Sequence, residues 1–188
     1  MNIVARARGL IIRPREEWAV IAGEPSDTVG LFKNYVIPMS AIPAVAGFIG
    51  LALFARMFAP ALPGFSVGAL LVQSVVSYLL GLAGVWVFGK IAQALSPRFG
   101  GTGEEVPAMK LAAHSPTASW LAGVFAAFPP LAIFGLLGLY SLYILYKGVP
   151  ATLGVSGDRV LVFTMALIGC GLLIYLLVGF VVSSLLVF

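Results

Sequence analysis

The sequence predicts an all-α polytopic membrane protein, with five transmembrane helices preceded by short cytoplasmic amphipathic helices. Three observations carry that expectation. Of 188 residues, 61% are hydrophobic and only 10% charged, and the mean hydropathy is +1.07, whereas soluble domains run near half apolar and a quarter charged. A soluble globule of this size could not hide so much apolar surface. The apolar residues also fall in runs long enough to cross a bilayer, which takes about 20 residues because lipid offers unpaired backbone groups no partner. Finally, the charges gather between those runs or near their ends. Together these exclude a soluble enzyme, a nucleic-acid-binding domain and a disulfide-stapled secreted module. The single cysteine, Cys170, lies within an apolar run and reads as a small packing residue.

Residues 1–33 read as cytoplasmic interfacial helices that are retained, since the only apolar stretch among the first arginines is Leu10, Ile11 and Ile12. Ile3, Val4, Ala7, Leu10 and Ile11 share one helical face, with Arg6 and Arg13 elsewhere on the wheel. Pro14 suits the first position of a second helix, with Glu16 and Glu17 against its positive dipole end. Trp18, Ile21 and Ala22 form its face, and Gly23 can end it. Ser26 or Asp27 can cap a third helix that carries Leu31, Phe32 and Tyr35 into the first span.

Residues 34–188 then divide into spans at about 34–55, 66–95, 108–128, 130–146 and 160–188. Pro38 and Pro43 kink the first or mark its opening turn, and Pro60, Pro63 and Gly64 separate it from the second. The stretch 108–146 is either one span broken at Pro129 and Pro130 or two short spans hinged there. Charge placement selects the hinge. Five spans put Arg6, Arg8, Arg13, Arg15, Lys33, Lys90, Arg98, Lys110, Lys147 and Arg159 on the cytoplasmic side and leave only Arg56 of the eleven basic residues outside. Four spans would move Lys147 and Arg159 across to join Arg56, a poorer fit to the positive-inside rule. The N-terminus is therefore cytoplasmic and the C-terminus outside.

The spacing Pro14, Trp18, Ile21, Glu24 in PREEWAVIAGE precedes the apolar AIPAVAGFIG of residues 41–50. Downstream lie LLGLAGVWVFGKIAQAL, the loop FGGTGE, AAHSPTASWLAGV, the paired prolines, and LGLYSLYILYKGVP. In order and spacing these segments resemble the prokaryotic branch of the Yip (Ypt/Rab-interacting protein) family of five-span membrane proteins, over essentially the whole chain. The resemblance implies a helical five-span fold with a cytoplasmic N-terminus. For eukaryotic relatives it implies vesicle traffic through Rab-type GTPases, and prokaryotic members share the fold without an agreed activity.

No chemical site declares itself. His114 is the only histidine, so neither a histidine/cysteine metal cluster nor a Ser/His/Asp set can be assembled, and no cofactor is expected. His114 reads either as an interfacial side chain bonded to local backbone or as a pH sensor. GGTGE at 100–104 lacks the Gly-Lys-Ser/Thr ending of a phosphate loop and reads as a turn. The spans hold no Asp or Glu, which argues against an ion-coupled pump. Gln73, Ser74, Ser77 and Tyr78, with His114, are the candidates for a polar intramembrane site, and the residues of the second span serve either a pathway or bonding between helices. Gly81, Gly84, Gly135, Gly138 and the ladder Ala118, Ala122, Ala126 supply small faces for internal packing or for a homo-oligomer seam.

The expectation is a non-catalytic inner-membrane scaffold or adaptor that binds other proteins or anionic lipid, the latter through Arg6, Arg8, Arg13 and Arg15. The alternative is a small-solute channel or transporter, or a lipid-handling protein. The partners expected are the lipid bilayer, unidentified proteins and a second copy of the chain, with no nucleic acid.

Overall fold

The computed structural model describes residues 2–58 and 66–184, and every regular element among them is helical. Asn2 opens α1 (Ile3–Ile12) by accepting from the amides of Val4 and Ala5. Pro14 starts α2 (Pro14–Gly23) with Glu16 and Glu17 in its first turn, as the dipole favours. Asp27 caps the single turn α3 (Thr28–Leu31) through the amide of Gly30, 3.1 Å away. A widened turn at Phe32–Val36 then feeds α4 (Ile37–Phe58), which carries Pro43 in its interior. Ser66 caps α5 (Val67–Leu95), and a 3-10 turn at Ser96–Phe99 ends on Gly100 at φ +82°, where a side chain would be strained. The expected break at Pro60, Pro63 and Gly64, the side chain of Arg56 and residues 185–188 lie outside the described residues.

The span expected at 108–128 is not what forms there. Helix α6 (Glu105–His114) stops at a turn over Ser115 and Pro116, and residues Ala108 to His114 are all buried. It packs against α5, α8 and the N-terminal helices, so its apolar residues face protein where lipid contact was expected. A second arm follows, made of α7 (Thr117–Ala122, six residues) and five residues of 3-10 helix at Gly123–Ala127. At about 1.5 and 2.0 Å per residue it reaches about 19 Å, short of a hydrocarbon core of about 30 Å.

Phe128 is extended and reverses the chain. Eleven residues of 3-10 helix at Pro129–Leu139 return it to α8 (Tyr140–Leu153), and α9 (Arg159–Ser184) closes the fold. The lengthened rise of the 3-10 stretch gives this arm more reach per residue than an α-helix has. Among the described residues four helical stretches are long and apolar enough to cross a membrane: Thr28–Phe54, Val67–Phe99, Pro129–Leu153 and Arg159–Ser184.

The hairpin nests against α4. Gly123 abuts Pro43, and the carbonyl of Ala126 occupies the place where Gly50 would carry a Cβ. Ser119 N–H donates to Ser141 Oγ at 2.8 Å, which ties the two arms near their base. Of the small faces, Gly84 meets Ile174 and Gly138 meets Ser119, which are internal contacts, whereas Gly81 and Gly135 face open space. Gly50→Ala drives a methyl into backbone that cannot rotate away, so a loss of about 1–3 kcal/mol is expected from overpacking. Thermal unfolding in detergent checks this: Gly50→Ala should lower Tm, and Gly135→Ala should leave it nearly unchanged.

Candidate functional site

The side chains expected to matter fall into two groups, a cytoplasmic cap and a polar face inside the membrane. In the cap, α2 presents Pro14, Trp18 and Ile21 at i, i+4, i+7, and all three are buried. Trp18 Nε1 donates to the carbonyl of Ile144 at 2.9 Å. Gly148 of α8 lets the indole lie close, since a Cβ there would sit 2.6 Å from the ring. Three of the four residues of the spacing that resembled the Yip pattern thus bolt the lead-in onto the membrane helices.

The fourth, Glu24, joins a buried ionic cluster. Arg6 is only 5% exposed and bonds Glu17 through Nη1 and Glu24 through Nη2. Lys110 reaches from α6 to the carbonyls of Ala22 at 3.0 Å and Glu24 at 2.6 Å. Burial lowers the Lys110 pKa and the nearby Glu24 carboxylate opposes that shift. α1, α2 and α6 are therefore joined where α2 ends.

This corrects the expectation for Arg6. It was grouped with Arg8, Arg13 and Arg15 as lipid-binding, but its guanidinium turns inward because two carboxylates of α2 lie beneath it. Arg8, Arg13 and Arg15 remain exposed, with Arg13 3.5 Å from the exposed Glu16. Below them Ile3, Ala7 and Ile11 of α1 face Pro38, Ile42 and Leu121 across an apolar trough of about 520 Å³, with Arg8 also lining it.

His114 lies in the cap and not with the polar residues of α5. It is 1% exposed, 4.4 Å from the Tyr35 ring and 6.0 Å from Trp18, centroid to centroid. Nδ1–H donates to the carbonyl of Lys110 at 2.9 Å, which leaves Nε2 without a partner among the described residues. α6 lies outside the four long apolar helices, and burial pushes the His114 pKa down to about 4. Tyr35 OH meets Thr117 Oγ1 at 2.8 Å beneath the ring. Sequence reasoning missed Tyr35, Lys110 and the Arg6 pairing.

On α5, Gln73, Ser74, Ser77 and Tyr78 line one cavity of about 350 Å³ with Ser40 of α4. Tyr78 OH donates to the carbonyl of Ile37 at 2.9 Å, and Ser74 Oγ to that of Leu70 at 2.9 Å. The structure thus brings these four together and keeps His114 apart. At the other edge Lys147 sits over the rings of Tyr143 and Tyr146, at 5.2 and 4.9 Å, as cations and aromatics do at a headgroup boundary. Among the described residues no cluster of three metal-binding side chains forms.

Two outcomes test the cap. Arg6→Gln leaves Glu17 and Glu24 facing each other without their cation, and because both carboxylates keep some contact with water, the loss should be smaller than for a fully buried pair. Tm should fall well below that of Arg8→Gln, measured side by side. For His114 the folded pKa of about 4 lies below the ordinary 6.5, so its neutral form contributes stability fully above pH 6.5 and loses it as pH falls toward 4. The Tm difference between wild type and His114→Phe should therefore narrow or reverse between pH 7 and pH 4.

The family model described as the Yip1 domain matches residues 8–180. The inner membrane protein YohC of Escherichia coli strain K12 is 28% identical over 174 residues, which is 88% of each chain, and its counterpart in a second Escherichia coli strain gives the same figures. No solved structure gives a significant match.

Proposed function

The chain belongs to the Yip1-domain family as a multi-pass inner-membrane protein, and from that premise we propose that it is a non-catalytic scaffold or adaptor. Its cytoplasmic cap binds other proteins or anionic lipid. One observation carries this reading: Arg6 ties α1 to α2, Lys110 ties α2 to α6 and Trp18 fixes α2 to α8, while the outer surface of the lead-in stays unsatisfied. Arg8 and Arg15 stand exposed without a carboxylate partner among the described residues, and Val4, Ile12 and Val20 are more than half exposed beside them. A rigid surface that is both basic and apolar suits the headgroup zone of an anionic leaflet, or an acidic amphipathic helix of a partner.

The topology that fits this role has the N-terminus cytoplasmic and the C-terminus outside, with the hairpin of residues 117–139 entering and leaving from the cytoplasmic side. The apolar runs and the placement of the basic residues support it. The two hairpin arms turn back together at Phe128, so the segments flanking the hairpin share one side at whatever depth the turn lies. α6, the α8–α9 loop and the N-terminal helices then share the cytoplasmic face.

Cysteine accessibility tests the topology in a Cys170→Ala background: a probe that cannot cross the membrane should label Ser156→Cys from the cytoplasmic side only. Labelling from outside would overturn the arrangement. For the scaffold role, crosslinking in native membranes followed by mass spectrometry should recover a reproducible protein partner attached through α1 or α2. Replacing Arg8, Arg13 and Arg15 together by Gln should lower retention of phosphatidylglycerol relative to phosphatidylethanolamine in the purified full chain. If neither a partner nor a lipid preference depends on that surface, the reading fails.

A further inference from the structure

Two cavities open sideways between the membrane helices. The first, of about 350 Å³, runs along α4 and α5 and holds the polar side chains Ser40, Gln73, Ser74, Ser77 and Tyr78. The second, of about 560 Å³, lies among α5, α7, α8 and α9 and is walled largely by apolar residues such as Phe88, Leu142, Leu167 and Ile168. Gly81, Val85 and Trp120 line both, so the cavities meet at one junction. Nothing lies within 4 Å of the place where Gly81 would carry a Cβ. Each lobe falls within or near the usual size of a ligand pocket, about 300–1,000 Å³.

The polar lobe holds groups that the protein leaves unsatisfied. Ser40 and Ser74 give their hydrogens to the carbonyls of Val36 and Leu70, and Tyr78 to that of Ile37. Gln73 and Ser77, one turn apart on α5, have no hydrogen-bond partner among the described residues. Both are partly buried, and an amide left unpaired at the edge of the hydrocarbon is costly. Gln73 lies about 9 Å along a helix that begins at Val67, within the depth that a lipid's glycerol and ester groups can reach.

The chemistry of the occupant follows. Gln and Ser each carry both donor and acceptor, so the matching head must offer a hydroxyl as well as a carbonyl. Among the described residues no charged side chain lines either lobe, so an ionic head would find no counter-charge among them. The head is therefore neutral. A largely apolar lobe adjoining it suits a hydrocarbon chain. We propose that this two-lobed cavity binds a neutral glycerolipid of the diacylglycerol class. Its hydroxyl and ester groups bond Gln73 and Ser77, and one acyl chain passes Gly81 and Trp120 into the second lobe. The site is separate from the basic cap and does not depend on the scaffold reading.

The test uses the full chain in nanodiscs of phosphatidylethanolamine and phosphatidylglycerol doped with dioleoylglycerol. After repurification, bound dioleoylglycerol is quantified by mass spectrometry against protein-free discs, with a parallel arm doped with ubiquinone, whose ring offers carbonyls but no hydroxyl. Wild type should retain dioleoylglycerol above the discs alone and above ubiquinone. Gln73→Leu should reduce retention about tenfold, the scale of one or two lost hydrogen bonds, with Gln73→Asn falling less. Gly81→Leu, which fills the junction, should also reduce it, and Leu177→Ala, outside both lobes, should not. Retention by wild type no greater than in protein-free discs would overturn the proposal. So would equal retention by wild type, Gln73→Leu and Gly81→Leu, or ubiquinone held as well as dioleoylglycerol.

Discussion

A guanidinium taken out of water must carry its counter-charges with it, and the fold of this protein turns on how Arg6 meets that requirement. Its partners Glu17 and Glu24 lie on the next helix, so satisfying the charge forces α1 to fold back along α2. Lys110 then binds the carbonyls at the end of α2, which pulls α6 into the same cluster. An ion pair of this kind adds little net stability over an apolar core, because desolvation offsets the attraction. What it adds is geometry, since this placement of α1 is the one that pairs its cation with Glu17 and Glu24 together. Trp18 supplies the adhesion, burying its whole ring against α8 and spending its N–H on Ile144.

That clasp gives α6 its character. A helix of Ala, Met and Leu with a histidine at its end is apolar enough to be taken for the start of a span. Inside the cap, protein surrounds it on all sides, and His114 survives burial by remaining neutral between two aromatic rings. The hairpin that follows is consequently short. It borrows length from 3-10 geometry and seats its turn against α4 through Gly50 and Gly123. The interior it leaves is loosely filled, and the two lateral cavities lie on either side of Trp120 where a full-length α-helix would have packed more closely.

Much of this was legible in the sequence. The apolar runs at 34–55 and 66–95 anticipate α4 and α5 to within a few residues, because hydropathy and proline positions set those limits. Pro14, Gly23 and Asp27 mark the N-terminal helices through local capping chemistry. The grouping of Gln73, Ser74, Ser77 and Tyr78 follows from helical spacing alone. Arg6 was misread because its partners lie 11 and 18 residues away on another helix, and pairing across helices leaves no local signature. α6 was misread because hydropathy cannot distinguish burial in protein from burial in lipid.

The central claim is that the lead-in is part of the folded core. Hydrogen–deuterium exchange on the full chain in nanodiscs measures this directly. Amides of α2 around Trp18 and Ile21 should be protected to the same degree as those of α6, and should lose that protection together when Glu17 and Glu24 are both changed to Gln. Exchange of α2 in the wild-type protein at the rate of an exposed loop, with α6 still protected, would contradict the account.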